Sequence, residues 1–354
     1  MKILDRYIGW TIISATITVV IVLVAVFTFF AFIEQLEDVG RGTYNIGKAT
    51  VFVISSVPDL TYNLFPMAAL IGSLIGFGTL MRNGEITVIR CVGVPKMRVI
   101  YAVIKAGAVL LVVVMLMGEF IAPPAERFAQ DYRNVAINER VTFQSENGFW
   151  ARDANSYINI REILPGDQLR DVYIYEFDDT SKLRLSTHAE FARYTGHEWV
   201  LQNITQTMLD EDGLKKRTLA QAAWDSILKP DLLSLVTINP DNLSISSLIK
   251  YSRFLRDNGQ TAQRYDHVLW LKLSYPITTV VMVVLAVPMV LRANRSVTVG
   301  QRVLVGSLIG LGFHLMNKAA GHLSVVYDIP PLLSATGPAL LMSVAALYLL
   351  ARTP

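Results

Sequence analysis

The sequence predicts an α-helical integral membrane protein with six transmembrane helices and an inserted periplasmic all-β, jelly-roll-like domain between the third and fourth. Three observations lead there. Of 354 residues, 52% are hydrophobic and only 17% are charged, where an average soluble domain carries about a quarter charged residues. The apolar residues gather into six runs long enough to cross a bilayer. Between the third and fourth runs the apolar period changes from helical to two.

A spanning helix needs about 20 mostly apolar residues to cover roughly 30 Å of hydrocarbon. The first run extends from about Tyr7 to Ile33, with no charge after Arg6. It is too long for a signal-peptide core and no clear small-residue cleavage site follows it, so it reads as a retained helix. The second, about Ile54 to Met81, contains Pro58 and Pro66; membrane helices tolerate proline where neighbouring groups satisfy the freed carbonyls. The third, about Val99 to Ala122, is expected to stop at Pro123-Pro124. The fourth covers about Leu269 to Leu291, the fifth about Val299 to Lys318 and the sixth about Pro331 to Ala351.

Lysine and arginine in the short loops set the sidedness. Lys2 and Arg6 precede the first run. Arg82, Arg90, Lys96 and Arg98 lie between the second and third, Arg292, Arg295 and Arg302 between the fourth and fifth, and Arg352 follows the sixth. With six spans all these positions share one side, so both termini are expected in the cytoplasm and the insert outside. The organisation is therefore residues 1–122 with the first three spans, 123–266 as the external β domain with flanking helices, and 267–354 with the last three spans.

Within the insert, residues 149–152, 157–160, 172–177 and 199–201 read as short strands between turn signals such as Asp178-Asp179 and Tyr194-Thr195-Gly196. Many short strands at this spacing suggest a sandwich or jelly roll, with the strand order open. Glu126 to Arg140 reads as a helix continuing outward. Ser246 to Asp257 reads as a second helix, capped by Ser244 and stopped near Gly259.

The chain carries no evident catalytic set. The one cysteine, Cys91, excludes an intrachain disulfide and a cysteine metal cluster. Residues 42–49 come close to a phosphate-binding loop. Ala49 stands where that motif needs Ser or Thr, and no strand precedes it, so the segment reads as a turn. His188 and His197 suit no standard zinc spacing, and no metal or cofactor is expected. The net charge of +3 is too small to indicate a nucleic-acid partner. Glu119 is the one acid read as clearly within a span. It is a functional candidate, although its depth also lets it reach the interface.

The loop from Arg82 to Arg98 is more informative. A short helix is expected at about residues 83–94, with Asn83 as cap, Glu85 in the first turn, and Gly93 with Pro95 closing it. Ile86, Ile89 and Val92 make one apolar stripe, with Glu85 and Arg90 off it. Such a helix lies on the membrane or docks into a partner's groove.

Taken together, these segments resemble the lipopolysaccharide-export permeases, the LptF/LptG family. The resemblance is carried by Leu4-Asp5-Arg6-Tyr7-Ile8-Gly9, Phe65-Pro66-Met67-Ala68-Ala69-Leu70, the loop Glu85 to Gly93, Ser244-Ile245-Ser246, Arg295-Ser296-Val297 with Gly300 and Arg302, and Ile329-Pro330-Pro331. It runs over nearly the whole chain and is closer to the LptG-type branch than to the LptF-type paralogue. The resemblance implies a bacterial inner-membrane subunit that hydrolyses nothing itself. It would pair with an LptF-like permease above two copies of an LptB-like cytoplasmic ATPase. The pair would extract lipopolysaccharide and pass it, through an LptC-like bitopic subunit, to a periplasmic bridge.

The resemblance also implies residue roles. The loop helix becomes the coupling helix: Glu85 matches the family's glutamate and would pair with an arginine on the ATPase, Ile86 and Ile89 would fill the groove, and Arg90 and Arg302 would support the same surface. On the outer side, basic residues near the end of the first helix would hold the lipid's phosphates. Here Glu37 and Asp38 stand where family members often carry lysines. Arg41, Arg133 and Lys318 are the remaining candidates, of which Arg133 best matches a family position. Other readings are a permease for another lipid or lipoprotein cargo, and a membrane-anchored periplasmic binding protein without transport activity.

Overall fold

The computed structural model describes residues 3–138, 143–153, 155–164, 166–178, 182–210, 213–224, 230, 233, 239–292 and 298–352. In chain order the helices are α1 (Ile3–Leu36), α2 (Ile46–Arg82), α3 (Glu85–Cys91), α4 (Lys96–Leu116) and, after a π-helical turn at Met117–Ile121, α5 (Ala122–Asn138). Six strands follow: β1 (Phe143–Asp153), β2 (Ser156–Leu164), β3 (Gln168–Phe177), β4 (Leu183–Tyr194), β5 (Trp199–Asp210) and β6 (Gly213–Trp224). The chain closes with α6 (Ile245–Asp257), α7 (Gln263–Arg292), α8 (Val299–Val326) and α9 (Pro331–Ala351). Among the described residues, six helical stretches are long and apolar enough to cross a membrane, and in sequence the six-stranded sheet lies between the third and fourth of them. Two compact units result: residues 1–33, 53–126 and 263–354 form one, residues 34–52 and 127–262 the other.

The helical unit is built on α2. Phe65, Leu70, Leu74 and Phe77 are fully buried in a core shared with Ile8 and Ile12 of α1, Val103 and Ala106 of α4, and Ala286 and Val287 of α7. Gly72 lets α1 approach, since a Cβ there would lie 2.4 Å from the Thr16 Cα. Small residues allow such contact between membrane helices. Proline at 66 removes the N–H that would bond the Tyr62 carbonyl. The Tyr275 hydroxyl on α7 donates to that carbonyl at 2.5 Å, and the two tyrosine rings stack at 4.3 Å.

Pro123-Pro124 do not stop the third span, contrary to the expectation from sequence. They lie inside one continuous helical stretch, Met97–Ile137, where each lacks the N–H that would bond a carbonyl of the turn before. The π turn before them absorbs the change in pitch, with the Ala122 N–H bonded to the Met117 carbonyl. The expected end of the outward helix, Arg140, lies outside the described residues.

In the second unit the strands form one antiparallel sheet in the order β1-β2-β3-β4-β5-β6. Four of them contain the segments anticipated from alternation; β4 and β6 were not singled out. Tyr251 and Leu255 on α6 are buried, and Phe254 packs against the sheet core. The Ser244 side chain caps α6 by accepting from the Ser247 N–H, and Gly259, at φ +65, follows its end.

An irregularity crosses the ladder from β2 to β6. Partners run Ile160↔Val172 and then Glu162↔Arg170, passing over Arg161 and Asp171. The same line continues past Glu190, Asn203 and Ala220. Asp171 and Asn203 have positive φ there. Buried positions two apart become three apart across it: Ile160 then Ile163, Leu169 then Val172, Ala189 then Ala192, Leu201 then Ile204. β2, β3, β4 and β5 thus each turn their side chains over once along this line, as a bulge does, while the buried face stays apolar.

Candidate functional site

The residues with expected roles fall into two groups, one in each unit. In the helical unit, α2 ends at Arg82 and α3 begins three residues later. Gly84, at φ +77, makes the corner, and its carbonyl accepts from the Val88 N–H at 3.1 Å. Asn83 was expected to cap the helix through its side chain. Its amide instead donates to the Glu85 carboxylate at 3.1 Å, and the Tyr7 hydroxyl of α1 faces the same group. Gly93, at φ +84, and a bond from the Val94 N–H to the Ile89 carbonyl at 3.4 Å end the helix. Asp5 of α1 lies 3.9 Å from Arg98 at the start of α4.

The apolar stripe divides. Ile86 is fully buried in the chain's own core, and Ile89 is half-buried against it. Val88 and Val92 are 64% and 79% exposed, with Cys91 exposed beside them. Ile86 therefore fastens α3 to the helical unit, and the exposed apolar surface of α3 is made by Val88 and Val92. A small cavity, about 300 Å³, is lined by Met81, Ile86, Thr87 and Cys91. Arg302 is buried at 6% exposure in the first turns of α8. Its guanidinium lies over Gly78, where a Cβ would come within 2.0 Å of Nη1, and its Nε has no hydrogen-bond partner. Arg82 is the charge acting on it. The side chain of Arg90 lies outside the described residues, as does Arg295.

In the second unit, Asp38 explains the departure noted in the sequence. One of its oxygens accepts from Arg41 at 2.5 Å, and the other pairs with Arg133 on α5. The Arg133 Nε donates to Gln35 at 3.0 Å. Gln35 also accepts from the buried Tyr44 hydroxyl at 3.1 Å, and burial pushes that phenol's pKa up. The structure thus brings Arg41 and Arg133 onto one carboxylate. Lys318 belongs to the helical unit, exposed on α8.

A third cluster was not anticipated. Lys272 is buried at 6% exposure on α7, with its ammonium 5.4 Å from the Tyr62 ring centre. Glu119 in the π turn and Asp59 on α2 both act on Tyr62 electrostatically. Asp59 is a second acid inside a span, correcting the reading of Glu119 as the one such residue. Lys272 and Asp59 both fall within the predicted runs, so each was visible as a charge in an apolar window.

The fold and these sites define a multi-pass membrane protein with an inserted β domain and a short intracore-anchored loop helix. Residues 6–352 match the family described as lipopolysaccharide export system permease LptF/LptG. The chain is 35% identical over 351 residues to the lipopolysaccharide export system permease protein LptG of Haemophilus influenzae, covering 99% of this chain and 98% of that protein. It is 33% identical over 355 residues to the protein of the same name from Escherichia coli K12, with the same coverage. The chain belongs to the LptF/LptG family: it is a multi-pass inner-membrane permease subunit, a non-enzymatic transmembrane component.

Proposed function

We propose that this chain is the LptG-type half of a permease that extracts lipopolysaccharide from the inner membrane and passes it to a periplasmic bridge. The observation that carries this reading is the match over residues 6–352, joined to a layout of three spans, a β domain and three spans. Both termini and α3 face the cytoplasm, and the segment 123–266 faces the periplasm. An LptF-like paralogue completes the lipid cavity, two copies of an LptB-like ATPase supply the energy, and an LptC-like subunit leads to the bridge.

Energy enters at α3. Its anchored side, Ile86 and Ile89, transmits movement to the core, while Glu85, Val88 and Val92 meet the ATPase. Arg302 supports α2 directly above, through its seat on Gly78. On the periplasmic side Arg133 and Arg41 hold a phosphate of the cargo; bidentate guanidinium contacts suit that group. The test is purification of the full chain from co-expression with a candidate ATPase, followed by mass spectrometry of the retained lipid. Co-elution of the ATPase, its loss on deleting residues 84–93, and retained lipopolysaccharide are expected. A stable chain without either companion overturns the reading.

A further inference from the structure

The arginine pair in the second unit is an anion site that is already filled. Each Asp38 oxygen carries one guanidinium, Arg41 on Oδ1 and Arg133 on Oδ2. The arginine on α5 is held from other directions too: its Nε on buried Gln35, and its guanidinium 5.8 Å from the Phe52 ring centre. Asp38 itself keeps 14% side-chain exposure. Two guanidinium groups therefore converge on one carboxylate, Arg133 held on α5 and Arg41 with its side chain 67% exposed, and together they present the donor pattern a phosphate monoester would use. Asp38 belongs to this chain, so nothing need be brought in to neutralise the arginines while the site is without cargo.

We propose that Asp38 is a built-in counter-anion. A phosphate of the cargo engages Arg41 and Arg133 by displacing this carboxylate, and Asp38 returns when the cargo leaves. Binding is then exchange of one anion for another, which lowers affinity and speeds release. The proposal rests on the reading of Arg41 and Arg133 as cargo contacts.

The experiment uses the full chain with its co-purifying subunits in lipid nanodiscs. The probes are lipid A carrying its phosphates and the same lipid enzymatically freed of them. Asp38→Asn is expected to bind the phosphorylated probe roughly three- to tenfold more tightly, the worth of a partly exposed charge pair, with slower dissociation. Binding of the dephosphorylated probe is unchanged. Arg133→Gln weakens the phosphorylated probe alone, and the double variant shows no gain. Asp38→Glu keeps the wild-type affinity, and Asp38→Ser replaces Asp38→Asn if the latter folds poorly. Unchanged or weaker binding in Asp38→Asn, with loss in Arg133→Gln, overturns the counter-anion and leaves the arginines as cargo contacts. Equal binding of both probes by wild type and Arg133→Gln overturns both.

Discussion

The Tyr275 hydroxyl on α7 supplies the hydrogen bond that Pro66 denies to the Tyr62 carbonyl on α2. The repair joins two helices at a buried point where the tyrosine rings also stack. Tyr275→Phe keeps the ring and removes the donor. An unsatisfied buried carbonyl costs about 1–3 kcal/mol, so a lower melting temperature in detergent is expected. Restoring Tyr62's helical donor with Pro66→Ala should recover most of it in the double variant.

Gly78 and Arg302 make a second dependence. Any side chain at 78 would drive the guanidinium from its seat. Gly78→Ala should leave the protein foldable but reduce ATP-driven export, as measured in reconstituted vesicles. Arg302→Met tests the charge: removing a buried cation with an unpartnered Nε is neutral or mildly stabilising, so melting should hold while export falls. A loss of both together would make Arg302 a folding residue.

Cys91 is the chain's only cysteine and is exposed on α3. A membrane-impermeant maleimide should label it in inverted vesicles and not in intact spheroplasts. Co-expression of the ATPase should protect it. Labelling from the periplasmic side would reverse the proposed topology.

The two faces of α3 should respond differently to substitution. Ile86→Ser creates a cavity and a buried hydroxyl, costing about 2–4 kcal/mol, which a thermal melt will register. Val92→Asp should leave the melt unchanged and weaken ATPase co-elution. Glu85→Ala should do the same, by the few kcal/mol that a broken, desolvated charge pair costs.

Six spans and the position of the β domain were legible because lipid demands long apolar runs and a sheet demands alternation. The Ser244 cap and the Gly93 stop were legible for the same local reasons. What escaped depends on tertiary neighbours. Pro123-Pro124 look like a terminus unless the π turn before them is known. Asp38 reads as a misplaced acid until Arg41 and Arg133 are found on its two oxygens. Ile86, Ile89 and Val92 share one periodic stripe, and periodicity does not show that the chain keeps Ile86 for its own core while Val92 stays exposed. β6 has largely exposed positions, so its pattern carries little signal.

The transverse line through Arg161, Asp171, Glu190, Asn203 and Ala220 has a consequence for how the β domain tolerates change. A saturation scan along β5 should not oscillate evenly. Leu201 and Ile204 should be intolerant of polar replacement and Gln202 and Asn203 permissive, giving two adjacent tolerant sites where a regular strand has one. Glycine at 203 should be accepted, because the backbone there already has φ +53, whereas valine should not. The phase slip would recur at matching depth in β2, β3 and β4, so that a tolerance map of the domain would carry the crease across the sheet as a stripe running from strand to strand.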